Sequence, residues 1–327
     1  MIETLISDES SRLFHQSRKG LVDKNGRSYL NFIDSLPPKY WVVWRDIGLG
    51  YFAVILTLIV VNFVSGDGFL GIATIFLCAI SVGYWYTYIS LFIHEAAHRN
   101  IANSKFNDNF ANIFLCWLGG VDIASYRRVH FEHHRFLGMC NDTENSYFNE
   151  PTLWFMFKTL LGLHALQIIV KRKKKLGHSV KSLGFWFVFL YSIFLHVLIL
   201  TVLIVNGLWL VVLAWGVGVY VFFPFFATMR QILEHRDIKS STAKNYHTEP
   251  HGAIGRIFGN DLFSITFGAA GFNRHLLHHW EPKVSYSRLK ELEDFLLKTD
   301  LAPVIESSRC NYWVVFRDLC RGSRGKV

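Results

Sequence analysis

The sequence predicts an all-α integral membrane protein with four transmembrane helices in two hairpins, and three observations carry that reading. Four apolar runs, at about 47–65, 69–93, 184–205 and 208–227, can each cross a hydrocarbon core of about 30 Å at about 1.5 Å per helical residue. Hydrophobic residues make up 51% of the 327-residue chain and aromatic residues 16%, more than a soluble domain carries. Histidines gather just beyond the second and fourth runs and in the polar stretches that follow them.

Charge and cysteine narrow the class further. The net charge of +9 comes from basic residues beside apolar runs, the pattern of a positive-inside membrane protein and not of a nucleic-acid binder. Cys78, Cys116, Cys140, Cys310 and Cys320 are odd in number and form no Cys-x-x-Cys pair, which excludes a disulfide framework and a thiolate metal site. The stretch 1–31 has no apolar core behind a basic start, so no cleaved signal peptide is expected.

In chain order, 1–46 reads as a cytoplasmic lead-in that turns aromatic after Pro37 and Pro38. A tight turn, Ser65 to Gly68, joins the first span to the second. The second run is longer than a bilayer requires. Its aromatic belt, Tyr84, Trp85, Tyr86 and Tyr88, marks an interface and leaves its C-terminal end projecting. That end carries His94 and His98, one helical turn apart on one face. A short interfacial helix at about 110–121 leads to His130, His133 and His134 in a His-x-x-His-His pattern.

The run at about 151–170 is interrupted by Lys158, His164 and Gln167. It is read as an interfacial or re-entrant helix, because a fifth crossing would put later histidines on the opposite side of the membrane. Lys171 to Lys175 marks the cytoplasmic side. The third and fourth spans meet at Asn206-Gly207, and the fourth ends in the aromatic stretch Phe222 to Phe226. Just beyond it come Gln231, Glu234 and His235. A glycine-rich loop, His251 to Gly271, leads to His275, His278 and His279, again spaced His-x-x-His-His, and a helix follows from Ser285 to Leu296. The membrane domain thus spans 47–298 and a tail 299–327. In the tail, the stretch Tyr312 to Asp318 nearly repeats Tyr40 to Asp46, and both are expected to lie as amphipathic strips on the cytoplasmic membrane surface. His196, deep in the third span, and His164 read as core residues.

Nine imidazoles therefore stand on one side, in a cytoplasmic cap: His94, His98, His130, His133, His134, His235, His275, His278 and His279. One tetrahedral zinc needs three or four ligands, whereas two metal ions of about four to five nitrogens each use all nine. Redox-active iron suits such a site with open positions for dioxygen; manganese and copper are compatible with the ligand type. Glu95, Glu132, Asp142 and Glu234 lie beside these histidines, where a carboxylate can accept the second ring N–H or stand solvated.

The three boxes, His-x-x-x-His and twice His-x-x-His-His, on four membrane helices resemble the membrane fatty acid desaturase superfamily over about residues 40–298. The stretch His279 to Leu289, with Pro282, resembles that family's sequence after its last box. The resemblance implies a non-haem di-iron centre that uses dioxygen and two electrons to desaturate a long acyl chain. It assigns the eight box histidines as ligands and matches His235 to an additional one. Stearoyl-CoA desaturases have four residues inside the first box and an Asn-x-x-x-His motif for the extra ligand. Here there are three, and Gln231 stands in the asparagine position, which favours the acyl-lipid desaturases. With no fused cytochrome segment, an external ferredoxin or cytochrome donor is expected, together with membrane lipids as partners and both termini and the active site in the cytoplasm. Related di-iron hydroxylases and ketolases of lipids, alkanes or carotenoids share the pattern. From a different class, a membrane zinc hydrolase would need few of the nine histidines, and a metal-binding transporter would place ligands near mid-membrane, where only His196 stands.

Overall fold

A computed structural model describes residues 9–64, 68–176, 182–240 and 253–324. Among them the fold is all-α, with two isolated β-bridges, Val22 to Ser28 and Ile257 to Arg309. In chain order the helices are α1 (Glu9–Ser17), α2 (Tyr29–Asp34), α3 (Tyr40–Val64), α4 (Gly68–Ala97), α5 (Ser104–Phe114), α6 (Ile123–Phe136), α7 (Leu153–Leu160) and α8 (Leu163–Leu176). They continue with α9 (Leu183–Val205), α10 (Trp209–Val217), α11 (Phe223–His235), α12 (Leu262–Phe267), α13 (His275–Trp280), α14 (Tyr286–Leu296), α15 (Ala302–Ser307) and α16 (Tyr312–Arg324).

Among the described residues, four helical stretches are long and apolar enough to span a membrane: Tyr40–Phe63, Gly68–Ala97, Leu183–Val205 and Trp209–His235, with mean hydropathies of 2.0, 1.8, 2.7 and 2.2. They leave large apolar side chains uncovered, including Phe63, Phe69, Leu183 and Val205, as helices solvated by lipid do. The protein is a multi-pass integral membrane protein.

The elements differ from the sequence expectation at several points. Tyr40 to Asp46 is not a separate strip but the first two turns of α3, because no breaker follows Pro38. The stretch 151–170 is two helices bent by 80°, hinged at Gly162, whose φ of +69° lies where a Cβ is disfavoured. The bent pair is either a broken span or a re-entrant loop. The segment at 110–121 is the end of α5 followed by one 3-10 turn, Cys116–Leu118. The last span runs on from α10 to α11 through a π-helical stretch, Gly218–Phe222. The loop before the last histidines contains α12, capped by Asp261, which accepts from Ser264 N at 3.0 Å. The expected turn at 65–67 and residues 251–252 of that loop lie outside the described residues.

The chain divides into two compact units. One comprises 1–43, 128–152 and 230–327; the other comprises 44–127 and 153–229. In the second, α4 and the π-helical stretch cross at glycines: a Cβ on Gly83 would stand 2.8 Å from Gly218 O, and one on Gly218 would stand 2.9 Å from Ala79 O. Tyr86 donates to Leu118 O (2.8 Å) and Ser192 to Trp117 O (2.6 Å). His196 packs here against Trp117 and Trp215, with Nε2 3.4 Å from Tyr86 Oη.

In the first unit a core forms around α13 and α14 from Leu276, Leu277, Trp280, Leu292 and Phe295. The N-terminal helices complete it. Phe14 stacks on Trp280 (centroids 4.5 Å, 8°), Trp280 Nε1 donates to Ser11 Oγ (3.0 Å), and Tyr29 Oη donates to Glu281 (2.9 Å). One face of α13 is thus packed away, and its histidines are displayed from the other.

Candidate metal centre

In the first unit six histidines form two trios. One ligand atom each from His130, His134 and His278 lie within 4.8 Å of one another, and so do those from His133, His235 and His279. Each trio draws on α6 and α13, and α11 adds His235 to the second. The His-x-x-His-His spacing explains the division. His130 and His134 share a face of α6 one turn apart, whereas His133 is rotated by about 100° from its neighbour. On α13 the adjacent pair His278 and His279 is split in the same way.

The ring nitrogens point as ligands should. His134 Nε2 lies 2.9 Å from His130 Nε2 and 3.1 Å from His278 Nε2. These nitrogens lie close enough together to be held by a single ion. Behind the rings stand oxygens. His133 Nδ1 donates to Asp142 (2.9 and 3.0 Å), His275 Nδ1 faces Glu234 Oε2 at 3.2 Å, His235 Nδ1 faces Ile254 O at 3.3 Å, and His130 Nδ1 lies 3.6 Å from Glu144. A proton held on Nδ1 leaves the Nε2 lone pair free to coordinate. His235 Nε2 is buried with no hydrogen-bond partner among the described residues, as a ligand awaiting a metal would be. Burial pushes the His130 and His275 pKa values below the ordinary imidazole range, so both rings stay neutral, the form that binds metal.

The expected carboxylates are tied into this frame. Asp142 also accepts from Glu144 N (2.7 Å) and from Tyr147 Oη, which in turn accepts from Gly138 N (2.7 Å). Glu234 pairs with Arg230, whose guanidinium lies 3.8 Å over the Phe272 ring. Gln231 Nε2 donates to Glu144 Oε2 at 3.1 Å. Glu132 is half-buried on α6. His275 belongs to neither trio, though its ring contacts His235 (4.5 Å) and His279 (4.6 Å).

The second unit holds His94, His98 and the fully buried Glu95. The His94 and His98 rings meet edge to face at 5.1 Å at the end of α4. Arg99 (φ +63°) stops the helix there, with Arg99 N donating to Ala96 O and Asn100 N to Glu95 O, both 3.0 Å. This is the Schellman arrangement of a helix terminus.

The sequence reading missed Glu144, Tyr147 and Arg230. An Asp-x-Glu pair eight residues past the second box (Asp142 and Glu144) was the available signal for Glu144; nothing local marks the other two.

Among the described residues, all-α elements with four long apolar helices and two imidazole trios beside carboxylates define a membrane protein with a histidine-rich candidate metal centre. The chain belongs to the fatty acid desaturase family, whose model matches residues 69–303, more than two thirds of its length. It is an oxidoreductase of the membrane desaturase type. No solved structure matches it.

Proposed function

We propose that the chain is an acyl-lipid desaturase whose nine histidines, His94, His98, His130, His133, His134, His235, His275, His278 and His279, hold two iron ions. The observation that carries this reading is the splitting of both adjacent histidine pairs between two trios, which provides for two ions instead of one. The donor set fits redox-active iron: neutral imidazoles only, no thiolate, and carboxylates set behind the rings. Bound iron would supply the oxidation: dioxygen takes two electrons from an external ferredoxin or cytochrome with two protons from water, and two hydrogens from a methylene pair, leaving as two waters and a double bond.

The chain's own residues prepare that chemistry. Asp142 holds a proton on Nδ1 of His133 and so aims its Nε2, while Glu144 and Glu234 set negative charge beside His130 and His275. Gln231 steadies Glu144, and Glu95 is assigned a supporting place beside His94 and His98. The four spans are taken as two hairpins. The basic run from Lys171 favours the cytoplasm for the site and both termini. The acyl chain enters from the bilayer.

Lipid mass spectrometry on cells with and without the chain tests the reaction. Products two hydrogens lighter, lost with His278→Ala, support desaturation. Products one oxygen heavier assign a hydroxylase instead.

A further inference from the structure

In the first unit two short helices that are far apart in sequence build one exposed apolar patch. On α12, Leu262 is 79% exposed and Ile265 is 48% exposed; on α16, Trp313 is 63% exposed and Val314 is 43% exposed. Phe263 stacks on Trp313 (centroids 4.9 Å, 24°) and on Phe267 (5.1 Å), and Tyr312 stacks on Phe258 from beneath. The patch is therefore a fixed part of the fold and not a loose tail. Tyr312, Val315 and Leu319 face inward and are buried. The opposite face of α16 carries Trp313, Arg317 and Arg321, four residues apart and all exposed. Arg317 is partly neutralised by Asp318 (3.0 Å).

We propose that this patch is a docking surface for anionic lipid headgroups. Its aromatic and aliphatic tip enters the headgroup boundary, and Arg317 and Arg321 pair with the phosphates. A tryptophan beside aliphatics, with arginines further along the same helix face, is the composition of an interfacial helix. The chain is a membrane protein, so lipid headgroups are the occupant at hand. The patch also adjoins the last histidine box: Asn273 N donates to Gly268 O (2.8 Å) at the end of α12, and α13 begins two residues after Asn273. A lipid seated on α12 and α16 therefore bears on α13.

The test uses the full chain in nanodiscs of phosphatidylcholine alone or with phosphatidylglycerol. The fluorescence lost on Trp313→Phe isolates the Trp313 emission. It is expected to be quenched by brominated lipid and protected from aqueous iodide, more so with phosphatidylglycerol. Each of Arg317→Gln and Arg321→Gln is expected to reduce that anionic preference about fivefold. Quenching by iodide and not by brominated lipid overturns the proposal. So does lipid contact indifferent to phosphatidylglycerol and to both arginines, or protection from both quenchers in a crosslinked pair of chains.

Discussion

His278 and His279 are adjacent on α13 yet belong to different trios, one with His130 and His134 and the other with His133 and His235. A two-metal reading therefore predicts separable losses. His278→Ala weakens binding of one ion and His279→Ala that of the other, while the double variant loses both. Metal titration of the purified variants, followed by spectroscopy of the remaining ion, distinguishes the two losses. Identical spectra from both single variants would contradict the split.

Asp142 fixes the tautomer of His133, so Asp142→Asn, which can turn an amide N–H toward Nδ1, lowers metal affinity by about 10–100-fold. Competition with a chelator measures it. Tyr147→Phe removes only one of the bonds that position Asp142 and has the smaller effect.

Arg230 and Glu234 are both buried, and only the pair is tolerable. Arg230→Gln leaves the Glu234 carboxylate uncompensated beside His275, and a loss of about 3–5 kcal/mol in stability is expected. Thermal unfolding of the metal-free protein in detergent reads it.

Phe14 is fully buried against Trp280. Phe14→Ala costs about 3–5 kcal/mol by the cavity it leaves. Because the spans are untouched, the variant still inserts into the membrane, and metal is released at a lower temperature than from the unaltered protein.

Much of this architecture is legible in the sequence because its signals are local. Apolar runs announce spans over some twenty residues, and i, i+3, i+4 histidine spacing announces a shared helix face. What escapes are features set by distant partners. Glu144 acquires its meaning from His130 and Gln231, the latter 87 positions away, and Trp280 from Phe14 and Ser11 at the other end of the chain. The π-helical stretch at Gly218 depends on the close crossing with Gly83, and the bend at Gly162 on one left-handed residue inside an apolar run. Each is a long-range or single-residue decision that periodicity does not record.

The most direct test of the central claim is the iron content of the purified full chain after reconstitution with ferrous iron, alongside its spectroscopy. Two irons per chain, both lost from the His278→Ala, His279→Ala double variant, are the predicted result. A single zinc ion retained against iron, with the double variant unchanged, would contradict it.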